Sequence, residues 1–126
     1  MKVWINDLKK GDVFWVIDHM YTYNLIKCEH LGPSESLEYR MPRIKYKVLE
    51  YLFENTNNIS SEGELFINQY VYTELDSEAM NDFYKVLNDD KKYYMSKIKL
   101  HARKIANAEN EINKINNTLK SYENNN

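Results

Sequence analysis

The chain has 126 residues, with 17 Lys and Arg against 19 Asp and Glu and a formal net charge of -2, a length that suits one domain, or a small domain with an attached element, built on a single hydrophobic core. Apolar residues at 43% and aromatics at 13% exclude a disordered chain for most of that length. No run reaches the about eighteen apolar residues of a membrane span, the N-terminus lacks an apolar secretory core, and Cys28 is the lone cysteine, so a cytoplasmic protein with a free thiol and no internal disulfide is expected.

The first half reads as strands. KVWI is followed by the turn signal LKKGD, and DVFWVIDH has the aromatic and β-branched richness of a half-buried strand. YTYNLIKCEH follows after a short polar break, which predicts a hairpin ended by Gly32, Pro33 and Ser34. From Leu37 to Glu54 the chain is again strand-like. Ile44, Tyr46 and Val48 alternate with Lys45 and Lys47 before the phase shifts at Leu49, Tyr51 and Phe53, a change that predicts a bulge or sharp bend. Pro42 favours an edge or a break. NTNNISSEG is a loop and ELFINQYVY one more strand, so about five strands are expected in an antiparallel sheet region over residues 1–73.

After Tyr72 the pattern becomes helical. Thr73 with Asp76, or Asp76 itself, can cap a helix in which Ala79, Met80, Phe83 and Leu87 fall at helical spacing. Asn88, Asp89 and Asp90 leave both one long helix and two shorter ones open. Beyond them Ile98, Ile105, Ile112 and Leu119 recur every seven residues, interleaved with His101, Ala108, Ile115 and Tyr122. These are the a and d positions of a heptad, and β-branched residues at most a sites favour two strands over three. The alternative is one amphipathic helix packed on its own sheet, but the seam runs past what a small sheet can cover. A helical region over 74–123 that joins copies of the chain is therefore expected, with a frayed tail at 124–126.

One short run, KKYYMSKIKLHARK from Lys91 to Lys104, holds six Lys and Arg and no acid. The segment carries +6 and the remainder of the chain -8. On a helix, Lys92, Ser96, Lys99 and Arg103 share one flank, with Lys85 above them if the helix is continuous, and Lys97 and Lys104 share the other with Tyr93, so that charge is expected on both sides of the seam. A solvated face is the plain explanation. Interleaved tyrosines, and the lack of acids four residues away, favour an anion site in which aromatic rings stack on a base and Lys or Arg hold phosphate. Duplex DNA is disfavoured by a pI near 5.9, whereas a compact anion needs only a few positive groups.

Other constellations carry less. Cys28 and His30 share a strand face and could join His19 around a metal, but they lack the paired ligand spacing of a zinc site, so no metal is expected. His101 in the seam reads as a packed or hydrogen-bonded core histidine whose protonation would make association pH-sensitive. Asp12, Asp18 and Glu29 have no general-base pattern near them. The chain contains no P-loop, GxSxG, HExxH or dinucleotide fingerprint, so neither catalysis nor a cofactor is expected.

Two resemblances add to these readings. The opening NDLKKGDVFWVID resembles the first hairpin of small SH3-like barrels, many of which are adaptors or nucleic-acid binders. The whole-chain layout, a sheet running into VYTELDSEAMNDFYKVL and an associating helical part, resembles the Thoeris anti-defence proteins of phages. Those are non-enzymatic sponges that sequester cyclic ADP-ribose signals between subunits, stacking the base on aromatic or arginine side chains. The resemblance implies a phage-type homo-oligomer that binds a small anionic nucleotide. On their own chemistry, Phe83 and Tyr93 could stack, Arg103 could stack or hold phosphate, and Lys92 and Lys99 could hold phosphate. Ile98, His101, Ile105, Ala108, Ile112, Ile115 and Leu119 would form the oligomer interface. The expected fold class is α+β: an antiparallel sheet or small SH3-like barrel, then a helix or helices that associate. The alternative function is an adaptor for a protein or single-stranded nucleic acid, with the helix serving for dimerisation.

Overall fold

Period-two alternation in the first half of the chain produces six strands, which pair into one antiparallel sheet. The computed structural model describes residues 1–20, 22–35, 42–53 and 61–125. Its strands are β1 (Lys2–Trp4), β2 (Val13–Asp18), β3 (Asn24–Pro33), β4 (Arg43–Tyr51), β5 (Glu62–Phe66) and β6 (Tyr70–Tyr72), in the order β1-β6-β2-β3-β4-β5. A single helix, α1 (Ser77–Asn124), follows. The class is α+β as expected, and among the described residues the sheet is open, with β1 and β5 as its edges. The expected strand start at Leu37, most of the expected loop NTNNISSEG and the last residue of the tail lie outside the described residues.

The stretch expected as one strand, ELFINQYVY, is in fact two. A turn at Ile67–Gln69 separates them, held by the Gln69 N–H donating to the Phe66 carbonyl at 3.3 Å and by Gln69 Oε1 accepting the Phe66 N–H at 2.9 Å. With no Gly or Pro at the turn and Ile67 prolonging the apolar run, Asn68 is its one local signal. The consequence is topological: β5 pairs with β4, whereas β6 lies between β1 and β2.

Two bulges bend the β3–β4 pair. Lys27 faces Glu50 and Cys28 faces Val48, so Leu49 is the extra residue, at the position where the alternation changes phase. Farther along, His30 faces Tyr46 and Gly32 faces Lys45, which leaves Leu31 extra on β3. Gly32 adopts φ +102 there, a left-handed conformation that side chains disfavour. Its N–H donates to His30 Nδ1 at 3.0 Å.

That bond needs a neutral imidazole. His30 is buried, and burial lowers its pKa from the ordinary 6.5, with the Asp12 carboxylate opposing part of the shift. Between 6.5 and the lowered value the unfolded chain binds more protons than the folded one, so stability is full above pH 6.5 and falls as the pH drops through that window. Urea midpoints measured from pH 7.5 to 5 should therefore decline, and His30→Gln, which can still accept from Gly32, should flatten the decline. Asp76 and Asp82, whose values are also lowered, act only at the more acid pH of carboxylates.

Successive residues of β2 supply both faces of the sheet. Phe14 and Val16 join Ile5, Ile26, Cys28, Ile44 and Val71 on one side. Trp15 joins Leu25 and Tyr72 on the other, where Ala79 and Phe83 of α1 cover them. Leu75, Ala79, Phe83 and Leu87, four residues apart, form the stripe that packs there, while Met80 is exposed instead of joining it. Asp76 is the N-cap, its Oδ1 accepting the Ala79 N–H at 3.0 Å. Thr73 bonds elsewhere, its N–H donating to the Met1 carbonyl at 2.9 Å. The Tyr72 hydroxyl donates to Asp82 Oδ2 at 2.6 Å, and Lys2 pairs with the same oxygen at 3.2 Å, joining β6 and β1 to the helix.

Asn88, Asp89 and Asp90 do not interrupt α1, which runs unbroken for 48 residues. Such residues cost only fractions of a kcal/mol each inside a helix, and the stretch contains no Gly or Pro. Packing divides the chain into two units, Met1–Leu87 and Asn88–Asn126. The first helical turns thus belong with the sheet.

Candidate functional site

The second unit carries the basic segment. Every residue from Lys91 to Asn125 is exposed, and none of the six cations of 91–104 makes an ion pair among the described residues. Lys97 Nζ lies 4.6 Å over the Tyr93 ring and 5.9 Å from that of Tyr94, and the two rings meet edge-on at 5.3 Å. The Tyr93 hydroxyl and its charge hold the Lys97 ammonium above its ordinary pKa. Lys97, absent from the expected ligand set, therefore covers a face of Tyr93.

The heptad counted from Ile98 fixes where these side chains point. With Ile98 at a, Lys92 and Lys99 are b, Ser96 and Arg103 are f, Tyr93 and Leu100 are c, and Lys97 and Lys104 are g. At about 100° per residue, b, f, c and g form one arc of roughly 140° on the side away from the a/d seam. The cations therefore do not bracket the seam as expected. Five of the six form an outer face with Tyr93 and Leu100 in its middle, of which only Lys97 and Lys104 border the seam, whereas Lys91 lies in the seam itself. A two-stranded pairing through a and d would leave Lys92, Lys99 and Arg103 facing outward, so it would not enclose them in a cleft between copies.

Phe83 does not belong to this group. It lies in the first unit, is 4% exposed, and stacks on Phe53 with ring centroids 5.8 Å apart. A ring so covered has no face for a base, which corrects its expected role. The seam residues Ile98, Ile105, Ile112, Ile115 and Leu119 are 50 to 68% exposed, and His101 and Ala108 are exposed with them. The same heptad also places Lys91 at a and Tyr94 at d, ahead of the stripe read from the sequence, whereas Leu87 at d is packed on the sheet.

The first unit holds a separate hollow of about 510 Å³ against the sheet, walled by Val16, Ile26, Tyr46, Val48, Tyr51 and Leu65. Arg43, 10% exposed at its side chain, pairs with Glu64 at 2.6 Å, and the Ser34 hydroxyl donates to the same carboxylate. The Tyr46 ring lies where any side chain at Gly63, its cross-strand partner, would collide with it. Asp18, Glu62 and Glu64 against one guanidinium make this lining acidic, so it suits a neutral or cationic group better than phosphate. No local pattern announces the hollow, because its residues come from four strands.

The chain matches no protein-family model, no curated protein and no solved structure.

Remaining groups bear on chemistry. Among the described residues no three His, Cys, Asp or Glu converge as metal ligands. Cys28 is fully buried, its thiol donates to the Ile26 carbonyl at 3.8 Å, and burial pushes its pKa up to about 12. A thiol in that state is a poor nucleophile. No helix among the described residues is long and apolar enough to cross a membrane.

Proposed function

We propose that this is a non-enzymatic, self-associating binding protein that sequesters a small anionic nucleotide, of the cyclic ADP-ribose type, on the basic outer face of α1. The observation that carries the reading is the set of six exposed cations at 91–104 without an ion pair among the described residues, interleaved with Tyr93 and Tyr94. Lys92, Lys99 and Arg103 hold phosphate, Tyr93 offers its ring to the base, and Lys97 and Lys104 complete the positive rim. A sponge works by affinity alone, and binding in the nanomolar to tens-of-nanomolar range corresponds to roughly 10 to 12 kcal/mol. Incubation with cyclic ADP-ribose isomers, heat release and chromatography should return the ligand unchanged. Hydrolysed product would make the protein an enzyme, and absence of retention would end the nucleotide reading.

A second reading has its own support. The outer face of a helix is convex, and its cations from Lys92 to Arg103 extend over about 16 Å, which suits a single-stranded nucleic acid lying along it. Affinity for such a polyanion falls steeply with salt, whereas a ligand with two phosphates gives a shallow dependence. Titrations of cyclic ADP-ribose and of a short oligonucleotide at several salt concentrations separate the two.

A further inference from the structure

We infer that α1 pairs with a second copy of the chain in antiparallel orientation, so that the basic segment of each copy lies along the Asn-rich end of the other. This rests on the self-association proposed above and deepens it by assigning the partner's direction and register. The exposed stripe is the starting point: its a and d residues from Lys91 to Tyr122 are exposed.

The two directions place different residues in the same layers. Parallel pairing sets each seam residue against itself. Lys91 then faces the partner's Lys91, His101 faces the partner's His101, and Ala108 faces the partner's Ala108, giving two polar or like-charged layers and one void. Antiparallel pairing sets a against d. With Ile105 opposite the partner's Ala108, Ile98 meets the partner's Ile115, Ile112 the partner's His101, Leu119 the partner's Tyr94, and Lys91 the partner's Tyr122. Each small residue now faces a large one, Lys91 faces an aromatic hydroxyl instead of its own charge, and His101 faces an aliphatic side chain instead of itself, as close packing requires.

Charge along the helix points the same way. Segment 91–104 holds six cations and no acid, whereas 105–125 holds Glu109, Glu111 and Glu123 against Lys114 and Lys120. Paired helices stand about 8–10 Å apart, close to the Debye length of about 8 Å at physiological ionic strength. Parallel copies would therefore bring Lys91, Lys97 and Lys104 of both copies together along the seam at only partial screening, whereas Lys92, Lys99 and Arg103 point outward and add little. The flanking g positions do not decide the matter. Lys104 meets the partner's Glu109 in one direction and the partner's Glu111 in the other, and Glu111 is also shared with Lys114 at 3.1 Å in its own helix.

Cross-linking of the full chain tests the direction, with buried Cys28 left in place and the unaltered chain as control. Ile98 and Ile115 are about 25 Å apart along the helix. Ile98→Cys alone should give no cross-linked dimer under mild oxidation, whereas a mixture of Ile98→Cys with differently tagged Ile115→Cys should give the mixed dimer as the main product. Dimers of Ile98→Cys with itself would overturn the antiparallel assignment while leaving self-association intact. Sedimentation of the unaltered chain as a monomer at tens of micromolar would overturn both.

Discussion

Phe83→Ala is expected to cost the sheet unit about 3–5 kcal/mol, a large part of the roughly 5–15 kcal/mol that holds a domain of this size together. The side chain is buried among Trp15, Leu25, Tyr72 and Ala79, with Phe53 on its ring. Truncation removes the transfer energy of the ring and leaves a hole that β-sheet backbone cannot collapse to fill. Urea unfolding followed by tryptophan fluorescence reports it directly, since Trp15 lines the same cluster. Met80→Ala, three residues away and exposed, should change stability by no more than about 0.5 kcal/mol. Equal effects of the two substitutions would mean that α1 meets the sheet through another face. A Phe83→Ala protein of unchanged stability would restore that ring as a candidate ligand contact.

The second large effect concerns the seam. Ile105→Asp together with Ile112→Asp places carboxylates at two central a positions, and burying each in an apolar layer costs a few kcal/mol. Even about 4 kcal/mol in total raises a dissociation constant roughly a thousand-fold, so a sample that sediments as an oligomer should become monomeric at the same concentration. Helical signal should fall as well. Residues 91–125 are exposed in the single chain, and a helix without a packed face has little beyond propensity to hold it. The fluorescence of the sheet unit should be unchanged, which distinguishes dissociation from misfolding. Unaltered sedimentation would show that the isoleucine stripe is not what joins the copies.

What could be read in the chain depended on how local its cause was. The Asp76 cap, the helical stripe of Ala79, Phe83 and Leu87, the irregularity at Leu49 and the heptad from Ile98 to Tyr122 all arise from neighbours within a turn or two, and each is visible in spacing alone. Phe83 is instructive because its spacing already placed it on the packed side, against the stacking role its aromatic ring suggested. The outward position of the basic residues was equally local, since their letters count from Ile98 whether or not the helix breaks at Asn88 to Asp90. Once the heptad letters run through, Lys92, Lys99 and Arg103 fall on the outer side. Only Asn68 marks the turn at Ile67–Gln69, and nothing local marks the Arg43–Glu64 pair, which depends on which strands become neighbours.

The placement of β6 between β1 and β2 bears on the order in which the molecule can assemble. Lys2 has its ladder partner at Tyr72, so β1 must wait, with its edge unsatisfied, until almost the whole sheet has been laid down. Pairing across so long an interval joins residues that most of the sheet must already have brought together, so this joint is expected to form late. Until it closes, the β2 edge stays open to any other strand that happens by, and a chain interrupted before Tyr70 could never complete its first hydrogen-bonded rung.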